Sequence, residues 1–263
     1  MPTHRPRKRF GQNFLQSSHV IDKILAAAEL SPGESVVEIG PGPGALTDRL
    51  LASGASVVAF EVDRDLVAAL EARNAARLTV HSGDVLKADW PALLSSPPYK
   101  LVANLPYNIS SQVLFKVLDH RPLFSRMVLM FQKEVGDRLL AAPDTRDYGI
   151  LSVLVQNWYT VARVVKVAPG CFFPPPKVDS VVLRFDPREQ PLAPVADEAA
   201  FVRLVKAVFA QRRKTLRNGL LGAGYDGATV DRALSALSLA PTVRGETLDI
   251  ACLSALSQAL HSV

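Results

Sequence analysis

Cysteine is nearly absent from this chain of 263 residues: only Cys171 and Cys252 occur, far apart and in no metal-ligand spacing. That argues against a disulfide framework and fits a reducing, cytoplasmic compartment. Paired histidines are lacking as well. His4, His19, His81, His120 and His261 are scattered, so no zinc or other metal site is expected. No apolar run approaches the roughly 20 residues of a membrane span, and the basic N-terminus leads into no apolar core of signal-peptide length. Internal repeats and low-complexity tracts are missing too. What remains is an ordinary globular balance, 48% hydrophobic and 21% charged, in a chain long enough for one large domain plus a small one.

The charge is modestly positive, net +5 with a pI near 9.3. Its clustering says more than its total. His4-Arg5-Pro6-Arg7-Lys8-Arg9 and Arg212-Arg213-Lys214-Thr215-Leu216-Arg217 concentrate cations at two places, which is the electrostatic footprint of a nucleic-acid binder. Solvated positive tails are the plainer alternative.

Short apolar runs alternate with helical patterns through the first half. Strands are expected at 35–39, 56–62, 78–81, 100–103 and 126–132, with helices at 18–30, 44–52, 64–74, 110–119 and 133–142. This β-α alternation implies a mostly parallel sheet with right-handed crossovers. A ligand then sits at the carboxyl ends of the strands, near the topological switch point. After about residue 145 the pattern changes: a helix at 149–158, β-rich stretches at 163–167 and 178–185, a polar, Pro-rich linker at 186–194, and helices from 198 to 260. Two domains are expected, with boundaries at 1–187 and 195–263.

Gly40, Gly42 and Gly44 follow the first predicted strand and open a helix. Glycine permits a sharp turn and lets a ligand lie against the backbone and the helix N–H groups. The spacing differs from the G-x-G-x-x-G dinucleotide fingerprint, which lowers an NAD reading without removing it. Glu61 ends the next strand, where a carboxylate accepts hydrogen bonds from ribose hydroxyls. Asp84, ending the third, is placed to accept from an adenine amino group. Asp63 is expected to cap a helix.

Asn104-Leu105-Pro106-Tyr107 has the chemistry of a clamp for a planar amine. An aryl amine is a poor nucleophile because its lone pair is delocalised into the ring. The Asn104 side-chain oxygen and the carbonyl of Leu105 or Pro106 can accept its N–H groups, turning the lone pair toward a sulfonium methyl, while Tyr107 stacks on the base. A similar tetrapeptide, Ser96-Pro97-Pro98-Tyr99, precedes the strand rather than ending it, and is read as a turn. Phe172 and Phe173 lie in a Pro-stiffened loop. Phe173, beside the prolines, is the expected stacking ring for an extruded base, and at least one of the two is expected to be core.

With these residues in hand, the chain resembles the ribosomal RNA adenine N6,N6-dimethyltransferases, most of all those acting on 16S rRNA. The resemblance rests on 7–15 (RKRFGQNFL), 38–47 (EIGPGPGALT), 104–110 (NLPYNIS), 172–180 and 211–218, and spans nearly the whole chain. It implies a Rossmann-like class I fold dependent on S-adenosyl-L-methionine, an α/β sheet with helices on both faces, and a small all-α C-terminal domain. It implies cofactor contacts at Asn13, Leu15, Gly40, Gly42, Glu61, Asp84 and Asn104, and base contacts at Asn104, Tyr107 and Phe173. The implied substrate is a pair of adjacent adenosines in a hairpin near the 3′ end of 16S rRNA, within the small ribosomal subunit or its precursor. Arg7, Lys8, Arg9, Arg212, Arg213, Lys214 and Arg217 are the expected RNA contacts, and a monomer is expected. A related family methylating 23S rRNA, a DNA methyltransferase and a non-catalytic assembly factor are the rivals.

Overall fold

The structure is a computed structural model describing residues 5–211 and 214–261. Three expected RNA contacts, Arg212, Arg213 and the side chain of Lys8, lie outside the described residues, as does His4.

One turn of helix at Lys8–Phe10 precedes β1 (Phe14–Leu15) and α1 (Ser18–Ala28). Strand and helix then alternate: β2 (Ser35–Ile39), α2 (Ala45–Ala52), β3 (Ser56–Glu61), α3 (Arg64–Glu71), β4 (Leu78–Ser82), α4 (Trp90–Leu93), β5 (Tyr99–Asn104), α5 (Ser110–Asp119), β6 (Phe124–Gln132) and α6 (Lys133–Leu140). There follow α7 (Ile150–Trp158), β7 (Tyr159–Val167), β8 (Phe172–Phe173), β9 (Ser180–Pro187), α8 (Glu198–Ala210), α9 (Leu216–Gly222), α10 (Gly227–Ala236) and α11 (Ile250–His261). No helix among the described residues is long and apolar enough to cross a membrane.

Seven strands form one sheet in the order β4-β3-β2-β5-β6-β9-β7. The first five are parallel, and β9 runs antiparallel to β6. Side chains alternate across the sheet, and both faces are buried. Val36, Val57, Ala59, Val102, Val128, Met130 and Val182 pack with Val20, Ile21 and Ile24 of α1 and Leu46 and Leu50 of α2. The alternate residues Val37, Ile39, Leu101, Ala103 and Leu129 are equally inaccessible. The strand order reverses between β2 and its neighbours β3 and β5, so the crevice beyond their carboxyl ends is the switch point where such sheets bind ligands.

By contacts the chain divides into two compact units. One comprises the residues up to Gly136 together with Val161–Pro187; the other comprises Asp137–Thr160 and the residues from Arg188 onward. In the second, α8 packs on α7, α9 and α11.

Several element bounds differ from the sequence expectations, α4 is an element they did not contain, and β7 begins at Tyr159 rather than 163. The helix after β3 ends at Glu71 rather than 74, because the chain turns through a left-handed Asn74 at φ 49°. The stretch 186–194 is not a free linker: β9 extends to Pro187, and the backbone N–H groups of Leu192 and Ala193 donate to the backbone oxygen and Oδ1 of the buried Asn157, both at 2.9 Å. Phe172-Phe173, expected as loop, is a strand paired antiparallel with Phe14-Leu15 in a separate two-stranded ribbon.

Candidate active site

The Gly40–Gly44 turn leaves β2 with all three glycines at positive φ, 69°, 59° and 90°. That backbone region is costly for residues with a Cβ. Gly42 also lacks room: a Cβ there would lie 2.9 Å from the Phe14 ring. β2 and β5 are hydrogen-bonded neighbours, so Gly40 comes against the clamp segment, with its Cβ position 3.6 Å from Pro106 Cδ. Tyr99 sits at the opposite, amino-terminal end of β5, buried, with its hydroxyl accepting from Ser96 N–H.

Around this junction lies a cavity of about 260 Å³, bounded by the glycine turn, residues 60–62, 83–85 and 104–109, and the N-terminal segment 9–14. Glu61 is 4% exposed. Its Oε1 accepts from Val62 and Asp63 N–H, each at 2.9 Å, and its Oε2 from Gly42 N–H at 3.1 Å. Burial pushes its carboxyl above the usual range, and these three backbone donors oppose the shift. They fill three of about four lone-pair positions on a carboxylate. One position remains for a ribose hydroxyl, and a second hydroxyl must share one with a backbone donor. Asp84 lines the same cavity, with Oδ1 accepting from Leu86 N–H at 2.9 Å.

Asn104 ends β5 with its amide already oriented. Nδ2 donates to the Asn13 carbonyl at 2.9 Å, which leaves Oδ1 as the acceptor. The Pro106 carbonyl is engaged by Ile109 N–H at 3.1 Å. The Tyr107 hydroxyl is 2.6 Å from Ser180 Oγ at the start of β9, which anchors the ring by its far end. Burial raises the Tyr107 pKa, and the bond to Ser180 opposes that. Phe172 is buried at 3% exposure, whereas Phe173 is 53% exposed, so the two rings divide between core and surface.

Asn13 reaches the cavity, but Leu15 does not line it: its side chain packs in the core with Ile21 and Phe172. Of the expected RNA contacts, Arg9 lies over the Phe10 ring, and Lys214 is exposed. Arg7 and Arg217 are in ion pairs, Arg7 with Asp63 and Asp65, and Arg217 with both oxygens of Asp231 at 2.6 and 2.8 Å.

Two features were not legible in the sequence. Glu38, in the middle of β2, is 1% exposed and accepts from the Thr47 hydroxyl of α2 at 2.7 Å. Burial above all, with the nearby carboxylates Asp48 and Glu61, pushes its carboxyl up to about 8. The other is Ser180, whose role as the anchor of Tyr107 depends on a residue 73 positions away. Neither could be found from local pattern.

A nucleoside cofactor fits this set: a glycine turn that a Cβ would obstruct at Phe14, a buried carboxylate at the end of β3, and a second carboxylate at the end of β4. Tyr99 and Tyr107 separate the two similar tetrapeptides experimentally. Tyr99→Ala should leave methyl transfer per folded molecule near wild type, whereas Tyr107→Ala should lower it roughly 10- to 100-fold, the scale of one lost base-stacking contact. Steady-state transfer rates at saturating cofactor check both, and the reverse ranking would mean that the base is held at the wrong end of β5.

Comparison with known proteins places these features in a family. A model of the family described as ribosomal RNA adenine dimethylase matches residues 3–244. The ribosomal RNA small subunit methyltransferase A of Syntrophotalea carbinolica is 59% identical over 260 residues, covering 98% of each chain. That of Geobacter metallireducens is 48% identical over 266 residues, covering 98% of this chain and 97% of its own. Among solved structures, a dimethyladenosine transferase from Plasmodium falciparum superposes with a TM-score of 0.80 at 30% identity, over 92% of this chain and 95% of that one. The 23S rRNA methyltransferase ErmE gives 0.67 at 28% identity, over 94% and 99%.

Proposed function

The chain belongs to the ribosomal RNA adenine dimethylases, and we propose that it transfers methyl groups from S-adenosyl-L-methionine to N6 of two adjacent adenosines near the 3′ end of 16S rRNA. Each adenosine takes two methyls, in a hairpin of the small subunit or its precursor during subunit biogenesis. The protein acts in the cytoplasm as a monomer. Residues 1–187 carry the catalytic part, and 195–263 form a small helical part that contacts rRNA.

The observation that carries this reading is the Asn104 amide, fixed by Asn13 so that Oδ1 is its acceptor, beside the glycine turn. When bound, S-adenosyl-L-methionine supplies an electrophilic sulfonium methyl. The chain's own contribution is positioning and electrostatics. Gly40, Gly42, Glu61 and Asp84 hold the cofactor, and Asn13 closes over it. Asn104 Oδ1 and the carbonyl of Leu105 or Pro106 accept the two N–H groups of the adenine amine, and the Pro106 carbonyl keeps one lone pair beside its bond from Ile109 N–H. Both acceptors are neutral, so they draw on the amine protons without placing a fixed anion beside the base. Tyr107, anchored through Ser180, and the exposed Phe173 stack on the extruded base, which offsets part of the cost of unstacking it. Lys8, Arg9, Arg212, Arg213 and Lys214, the remaining expected RNA contacts of the two clusters, engage phosphates.

The test is transfer of labelled methyl to small ribosomal subunits lacking the modification, with large subunits alongside and the product nucleoside identified. N6,N6-dimethyladenosine in the small subunit alone is the expected result. Label confined to 23S rRNA would move the protein to the activity named for ErmE, and no label on either particle would leave an assembly factor.

A further inference from the structure

Asp63, whose carboxylate is completely inaccessible, binds the start of the N-terminal segment to the rest of the site. Its Oδ1 accepts from Arg7 Nη1 at 2.6 Å and its Oδ2 from Gln12 Nε2 at 3.0 Å. Gln12 closes the ring by accepting Arg7 N–H on Oε1 at 2.6 Å. Asp63 also caps α3, through Asp65 N–H at 3.2 Å, and its own N–H donates to Glu61 Oε1. Capping explains one bond; it does not explain a buried carboxylate that collects an arginine and a glutamine from residues 51 to 56 positions away.

The segment held in this way touches both the glycine turn and the clamp of the proposed machinery. Asn13 accepts the Asn104 amide. Gly11, at φ 62°, turns against Asn108, whose Oδ1 lies 2.8 Å from where its Cβ would be. Phe14 covers Gly42 and pairs in register with Phe173.

We propose that Asp63 is a positioning residue for methyl transfer: through Gln12 and Arg7 it fixes the segment 7–15, and through the Asn13 carbonyl that segment fixes the acceptor face of Asn104. The proposal rests on the functional reading above. Its physical basis is that an amide side chain presents acceptor or donor according to which way it is turned, and the Asn13 carbonyl is what turns this one. If the segment loosens, the amine faces an unsettled amide, and the loss falls on the chemical step more than on cofactor binding.

The test uses Asp63→Ser. Serine is itself a favoured helix cap, so α3 keeps its start, but its hydroxyl is too short and uncharged to gather Arg7 and Gln12. Two measurements are made on the whole protein. Hydrogen exchange without any ligand should show peptides spanning 7–15 losing protection by about tenfold or more while those of α3 hold theirs. Turnover on small subunits should fall roughly 10- to 100-fold in kcat, the scale of a displaced catalytic group, with KM for S-adenosyl-L-methionine changing far less. Gln12→Leu should reproduce the kcat loss, and combining the two substitutions should add little, because both break the same link. Unchanged protection at 7–15 would overturn the proposal whatever the enzyme's substrate. Loss of protection with normal kcat, or a loss confined to KM, would overturn it too. Failure of the unsubstituted protein to methylate either subunit, with the exchange result as expected, would instead fail the functional reading and sever Asp63 from methyl transfer.

Discussion

Asn104→Ala should lower methyl transfer by roughly 10²–10³-fold, the scale of removing one preorganised hydrogen-bonding group from a transition-state site. Alanine takes away the Oδ1 acceptor and also the Nδ2 donor to the Asn13 carbonyl. Cofactor affinity should change by less than about tenfold, or about 1.4 kcal/mol, since Glu61, Asp84 and the glycine turn are untouched. Single-turnover transfer, with calorimetric titration of S-adenosyl-L-methionine, separates the two quantities. Asn104→Asp sharpens the result: it keeps an acceptor but sets a charge against the Asn13 carbonyl, so an oxygen alone should not rescue the rate. Near-normal turnover in the alanine variant would remove Asn104 from the chemistry.

The second large effect concerns stability. Glu38, buried in β2 and pushed up to about 8, is mostly protonated at neutral pH. In the unfolded chain it titrates near 4.5, its ordinary value. Between those two values the folded state holds a proton that the unfolded state has released, so the contribution of Glu38 to stability is greatest below 4.5 and is lost as pH rises toward 8. Each pH unit in that window costs about 1.4 kcal/mol, or roughly 2–3 kcal/mol between pH 6 and 8. Glu61, also raised by burial, pulls in the same direction. Glu38→Gln has no proton to lose and can still accept from Thr47. Its denaturant midpoint should therefore fall less than the wild type's from pH 6 to 8, leaving it the more stable of the two at pH 9. Parallel pH profiles for the two proteins would show that Glu38 ionises normally.

The alternation of β2 to β6 with their helices was legible because each strand contains a short apolar run, separated from the next by glycine, proline or a capping side chain. Asp63 was readable as the cap of α3 for the same local reason, but its grip on Arg7 and Gln12 was not, because those partners lie 51 to 56 positions earlier, ahead of the first helix. β1 and β8 have two residues each, too few to show any period, so the ribbon that joins Phe14 to Phe173 left no trace in the sequence. The division of labour between Phe172 and Phe173 depends on that ribbon, since adjacent strand residues face opposite ways. In 186–194 composition misled: proline and charge suggested a spacer, and one buried side chain, Asn157, ties it down. Charge counting met a similar limit at Arg7 and Arg217, whose carboxylate partners no local pattern announces.

Those two ion pairs bear on how RNA affinity should respond to salt. The logarithmic slope counts counterions freed from the nucleic acid, close to one for each phosphate neutralised on a duplex and about 0.7 on a single strand. A guanidinium that leaves Asp231 for a phosphate frees a counterion from the RNA, but bares a carboxylate that gathers a cation of its own. Arg217 therefore adds less to the slope than an unpaired cation would, and the same holds for Arg7, which would have to leave two carboxylates. The salt dependence of binding should report fewer contacts than the chain has cations in its two basic clusters.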